Sequence, residues 1–197
     1  MRYDAEHKQK TRERVLQEAA KAIRAEGPHR VGVAGVMAKA GLTHGGFYAH
    51  FKSKDELVAA AIDAMFNDAR TRFADATADK PPAEGLAAYL RFYLSRGHRD
   101  ARGSGCPITA LSADLPRMEG AARERYGQGV AALTGRIAGH LGLLGKDEPE
   151  ALARSVLSEL VGALSLSRAV ADAEQSDLIL KTSQDALKQR LGLETIA

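Results

Sequence analysis

Tryptophan is absent from this chain, cysteine occurs once, as Cys106, and aromatic residues make up only 5%. A lone cysteine excludes an intrachain disulfide framework and suits a reducing compartment, so a cytoplasmic protein is expected. No apolar run approaches the ~18 residues of a membrane span, and the polar N-terminus has no signal-peptide pattern, so no membrane partner is expected. Catalytic patterns are missing as well. The chain has no HExxH, no Walker loop, no paired-cysteine motif and no Ser–His–Asp ordering, so neither an enzyme nor a cofactor is expected. His44 and His50 do not share the i, i+4 face of a helical metal pair, so no metal site is read there. Gly41, Gly45 and Gly46 lack the preceding strand and the register of a dinucleotide-binding loop.

What is present is enough apolar matter for a core and an uneven charge. The 197 residues are 45% apolar, and Ala, Leu, Arg and Glu dominate, which leans all-helical. A net charge of +3 is too small to mark the whole protein as a nucleic-acid binder. Residues 1–56, however, hold 11 Lys and Arg against 7 Asp and Glu, and residues 57–197 hold 17 against 18. His7, His29, His44 and His50 also fall in the first part. A basic head on a near-neutral body is the footprint expected when only the head meets phosphates.

The stretch Val33 to Leu57 organises that head. Val33, Val36 and Met37 form one apolar stripe at helical spacing, and Gly41 suits the left-handed residue that stops a helix. Leu42 then returns to the core. Thr43 is an N-cap candidate for a second short segment, His44 to Phe51. Two helices of about two turns, joined by a short turn containing Gly, make a helix-turn-helix unit. Ser53 with Glu56 reads as the capping box of the next helix. Gly45 and Gly46 fall in the first turn of the partner-facing segment, where they cost about 1 kcal/mol each and permit close backbone approach.

The run from Gly41 to Leu57, GLTHGGFYAHFKSKDEL, resembles the DNA-binding signature of TetR-family transcriptional regulators. That signature is a Gly-apolar-Ser/Thr turn, a short helix ending in Tyr-x-His-Phe, and a Ser-Lys-Asp/Glu-x-Leu helix start. Gly32 replaces the common Ser or Thr cap, and the Gly45–Gly46 pair replaces the commoner Lys-Gly-Thr or Lys-Gly-Ser. The resemblance implies that Tyr48, His50 and Lys54 contact backbone phosphates, and that Thr43, His44, Gly45 and Gly46 line base edges. Hydroxyl, imidazole and ammonium groups can donate to phosphate oxygens, and with two glycines direct readout falls mostly to Thr43 and His44. Phe47 and Phe51, four apart, are expected in the core.

Along the chain, Met1–Gln9 reads as a charged arm and Thr11–Glu26 as the first helix, ended by Gly27-Pro28. Lys8, Lys10, Arg12 and Arg14 crowd the start of that helix, where its dipole prefers anions. A nearby phosphate would relieve the cluster; a solvated charged face is the alternative. Further helices are expected over Lys54–Thr77, Ala83–Ser95, Cys106–Leu115, Arg117–Leu144, Glu150–Ala173 and Ser176–Leu191, with a polar loop at His98–Gly105. The expected fold is therefore all-α, with about nine helices. Residues 1–56 are read as a three-helix DNA-binding domain, and 57–197 as a larger effector-binding and dimerisation domain.

In the body, Tyr89, Phe92, Tyr93 and Tyr126 either line a pocket or pack, and Cys106 is either a small buried hydrophobe or a sensing thiol near Arg99 and Arg102. The helix Glu150–Ala173 is apolar over more of its circumference than one core face needs. With Ser176–Leu191 it offers Leu157, Leu160, Val161, Leu164, Ile179 and Leu187 to a homodimer, the four-helix arrangement that the resemblance also implies. The functional expectation is a repressor of double-stranded operator DNA, released by a small-molecule effector. The alternatives are a redox- or electrophile-sensing repressor switched through Cys106, and an effector-independent DNA-architectural protein.

Overall fold

Charged side chains open the chain, and they are helical. The computed structural model describes residues 2–196, and α1 spans Arg2–Glu26. The arm expected over Met1–Gln9 is thus helix from Arg2 onward, while Met1 lies outside the described residues. Pairs at helical spacing account for the extension: Lys10 pairs with Glu6 at 2.8 Å, and Gln9 donates to Glu13 at 2.7 Å. Each exposed pair contributes only about 0.2–0.5 kcal/mol, but burial of Val15, Ala19 and Ile23 has already paid for nucleation.

Helix α2 runs Val33–Lys39, and Gly41 at φ 70 ends it in the left-handed region. Leu42 N–H then donates back to the Met37 carbonyl at 2.9 Å. The next segment, His44–Ala49, is a 3-10 helix and not the α-helix its signature suggested. Gly46 N–H reaches the Thr43 carbonyl at 3.1 Å, an i to i+3 bond. Two consecutive glycines weaken the longer α turn, so the tighter one prevails. Thr43 has the extended backbone of an N-cap, but its side chain makes no capping bond. Helix α3, Lys54–Thr77, begins as expected: Ser53 Oγ accepts from Glu56 N–H at 3.1 Å. Glu56 in return accepts from Lys52 N–H at 2.8 Å, one residue earlier than the usual reciprocal bond.

The remaining helices are α4 Pro82–Tyr93, α5 Arg96–Asp100, α6 Pro107–Leu111, α7 Ala121–Leu143, α8 Pro149–Ala169 and α9 Ala173–Leu191. Among the described residues the fold is all-α, without a strand. The expected polar loop at His98–Gly105 is in part helical, because Ser95 Oγ caps α5 by accepting from His98 N–H at 3.1 Å. The expected helix Cys106–Leu115 divides into α6 and a 3-10 turn, Leu115–Arg117, that contains Pro116 rather than ending before it.

The chain packs as two compact units. The first comprises the residues up to Asn67 together with Cys106–Gly129, and the second Asp68–Gly105 with the chain from Val130 onward. In the first, α1 packs on α2 and on α6, around buried Val15, Ile23, Met37, Phe47, Phe51 and Met65. In the second, α8 lies along α9, and α4 touches both. Arg168 donates to the carbonyls of His98 and Arg99, at 3.0 Å each, and so fastens α5 to α8. No helix among the described residues is long and apolar enough to cross a membrane.

Candidate nucleic-acid interface

Within the first unit, burial sorts the 3-10 segment into two sets of side chains. Phe47 and Phe51 are buried, with rings stacked 5.6 Å apart, and they anchor the segment to the core as expected. Tyr48, lying between them in sequence, is 71% exposed, with its ring edge-on to Phe47 at 5.2 Å. Thr43, His44 and Gly45 are also exposed, and Gly46 is half-buried. A Cβ on Gly45 would meet nothing within 4 Å, and one on Gly46 would make only ordinary contact with Met37 at 3.7 Å. Packing within the chain therefore does not require either glycine.

His50 is half-buried, and its Nδ1 has no hydrogen-bond partner among the described residues. Burial, then Lys8, then Arg12 hold its pKa below the ordinary histidine value. Lys54 opens α3, and its Nζ donates to the His29 carbonyl at 3.3 Å. Arg12 lies over the Phe51 ring at 4.7 Å, a cation–π contact. The structure thus places Thr43, His44, Gly45 and Tyr48 in the exposed part of one short segment, with His50 just after it and Lys54 at the next helix start.

The residues expected to bind an effector fall in different units. Tyr89, Phe92 and Tyr93 belong to the second, in a chain of ring contacts: Phe73 to Tyr89 at 4.6 Å, Tyr89 to Tyr93 at 5.8 Å, and Tyr93 to His98 at 4.9 Å. Phe92 also lines an open cleft of about 400 Å³ with Arg72, Asp75 and Lys80. Cys106 and Tyr126 belong to the first unit. Cys106 is 4% exposed, and its carbonyl accepts from Ala110 N–H at 3.2 Å as α6 begins. Burial, and next Cys106, push the Tyr126 hydroxyl up to about 12. Arg99, expected near the thiol from its sequence position, is engaged by Asp100, Ser176 and Asp177.

Two features escaped the sequence. One is His98, only 6% exposed, whose Nδ1 lies 2.8 Å from the Tyr93 carbonyl; burial, with Arg168 and Arg72 adding to it, lowers its pKa to about 4. The Ser95 cap was the available signal that His98 is helical. The other is a cleft of about 930 Å³ in the first unit, bordered by Leu16, Ala59, Ala60 and Met118, with Asp63 and Arg125 ion-paired at its edge. It gathers residues distant in sequence, and no local pattern announces it.

Of the residues expected to dimerise, Leu157, Leu160, Leu164 and Leu187 are buried within one chain, while Val161 and Ile179 are half-buried. The large apolar side chains that α8 and α9 leave in water are instead Leu166, 60% exposed, and Leu178, 58% exposed.

Residues 15–61 match the family model for bacterial regulatory proteins, tetR family. A TetR transcriptional regulator from Chloroflexus aurantiacus J-10-FL is 27% identical, with a TM-score of 0.80 over 95% of this chain and 96% of that one. The reduced form of NemR from E. coli is 19% identical, with a TM-score of 0.80 over 91% of this chain and 97% of its own. A TetR-family regulator from Agrobacterium tumefaciens is 20% identical, with a TM-score of 0.77 over 91% and 98%. The last two likenesses speak to the fold alone. No curated protein is significantly similar in sequence.

Proposed function

Because the chain belongs to the TetR family, whose members are DNA-binding regulators and not enzymes, we propose that it is a sequence-specific repressor released from its operator by a small molecule. The observation that carries this reading is the exposure of Tyr48 between two buried phenylalanines, in a stretch that also exposes Thr43, His44, Gly45 and Ala49. In it, residues 1–56 bind DNA and 57–197 bind the effector and dimerise. Tyr48, His50 and Lys54 hold phosphates and so position the segment, while Thr43 and His44 read base edges beside Gly45 and Gly46.

One short segment reads few bases, so two heads about 34–36 Å apart on successive major grooves are needed for specificity. A two-fold dimer through α8 and α9 supplies them, with Leu166, Leu178, Val161 and Ile179 facing the partner copy. The four buried leucines then hold α8 and α9 in place rather than touching the partner. The effector site is proposed around Tyr89, Phe92 and Tyr93, whose rings suit an apolar ligand.

The test is selection of bound fragments from genomic DNA, followed by affinity measurements on the enriched site. Tyr48→Ala should weaken binding to every duplex alike, and His44→Ala should change base preference. Unchanged affinity of Tyr48→Ala at 0.1–0.2 M salt would overturn the docking scheme.

A second reading draws on the likeness to NemR, which was solved in a reduced form. In it, a peroxide converts the Cys106 thiol to a sulfenic acid with release of water, and the altered side chain loosens α6. Burial of the thiol weighs against this, and favours packing. Oxidant that releases DNA from the native protein but not from Cys106→Ser would support the switch; equal release from both would assign Cys106 to packing.

A further inference from the structure

Lys8, Lys10, Arg12 and Arg14, in the N-terminal half of α1, have different fates. Lys10 is paired with Glu6, and Arg12 lies over the Phe51 ring. Lys8 and Arg14 have no ion-pair partner among the described residues, and both line a groove of about 500 Å³ with His7, Thr11 and His50. Positions 7, 8, 11 and 14 recur on one face of a helix, so this wall exists because α1 already runs through His7 instead of starting at Thr11. The opposite wall comes from the end of the 3-10 segment, where Ala49 and His50 join Leu42. Among the described residues, none that lines the groove is acidic.

A groove whose described lining offers two cations without ion-pair partners, a hydroxyl and a histidine suits an anion. Its place beside Tyr48 decides which one. We propose that this groove seats a DNA backbone phosphate next to those held by Tyr48 and Lys54, with Lys8 and Arg14 donating to its oxygens from either end of the α1 face and His50 closing the floor. The inference rests on the DNA-binding reading and deepens it. It makes the N-terminal half of α1 part of the interface, so that two elements, and not the 3-10 segment alone, set the angle of the head on the duplex.

Phosphate contacts are independent of sequence, so a 30-base-pair duplex of random sequence suffices as probe. Binding of the full chain is followed by fluorescence anisotropy between about 50 and 200 mM salt, where each neutralised phosphate adds about 0.9 to the log–log slope. Lys8→Gln with Arg14→Gln should weaken binding roughly tenfold and reduce the slope by about 0.9 for each head bound. Lys10→Gln with Lys21→Gln removes the same net charge from α1 outside the groove, and should leave the slope near its original value. Lys8→Arg with Arg14→Lys should restore binding, and circular dichroism should show all variants folded. Equal slopes for the two double Gln variants would reduce the effect to net charge and overturn the groove. Loss in Tyr48→Ala, with none in Lys8→Gln/Arg14→Gln, would overturn the groove and leave the DNA reading standing. A native protein with no salt-dependent DNA binding would overturn both.

Discussion

A Cβ placed on Gly129 would lie 2.3 Å from the ring of Phe66, closer than any real methyl group can approach. Phe66 is itself buried and edge-on to Tyr126 at 5.8 Å, so the ring has nowhere to go. The contact explains why α7 tolerates a residue that weakens helices: at Gly129 the backbone itself is the packing surface of α3.

The first prediction follows directly. Gly129→Ala regains about 1 kcal/mol of helix propensity but overpacks against Phe66, and should destabilise the protein by about 2 kcal/mol net. Gly135→Ala and Gly139→Ala meet nothing within 4 Å and should stabilise by up to about 1 kcal/mol each. Urea denaturation of the three variants checks the contrast. A stabilised Gly129→Ala would show that the ring yields freely.

Gly45 is open to a side chain in the free protein, so a cost there must come from the partner. Gly45→Ala should leave stability unchanged or raise it by about 0.5–1 kcal/mol. The same variant should lose operator affinity, because the added methyl keeps the backbone from the base edges. Thermal melts and binding isotherms on one preparation read both effects. Full affinity would remove Gly45 from the DNA surface.

His98 gives the fold a pH dependence. Its ring faces the Tyr93 carbonyl, with Arg168 and Arg72 nearby, and its pKa falls from 6.5 to about 4. Between these values the unfolded chain binds a proton that the folded chain refuses. Stability is therefore full above about 6.5 and falls as pH drops towards 4, by roughly 3 kcal/mol in all. His98→Asn keeps a donor for the Tyr93 carbonyl and cannot titrate, so its stability should change less over this window. Chemical denaturation at half-unit steps from pH 7 to 4 measures the difference; parallel curves would deny His98 the role.

Leu160 and Leu178 separate core from interface. Leu160 is fully buried in one chain, so Leu160→Glu should unfold the second unit by burying an unpaired charge. Leu178, 58% exposed, should accept Glu without loss of helicity. In the proposed dimer, Leu178→Glu with Leu166→Glu converts the protein to a folded monomer in sedimentation and abolishes tight operator binding. A dimer that survives both changes would place the interface elsewhere.

Much of this protein was legible in one dimension because helices are local objects. Caps, breakers and apolar spacing act within a turn or two, so Gly41, the Ser53–Glu56 box and the bounds of α3 could be read directly from residue order. The stretch proposed to meet DNA was legible for the same reason, since its residues are contiguous. Burial was not, because it depends on which faces of distant helices meet. An apolar stripe on α8 shows that Leu157, Leu160 and Leu164 must be covered, but not whether this chain or a second copy covers them. Tertiary packing assigned them to the core and left Leu166 and Leu178 outside. It also buried His98, pressed Phe66 onto Gly129, and drew Lys8, Arg14 and His50 to one groove. Each of these depends on two segments far apart in sequence, brought together only when their apolar faces leave water.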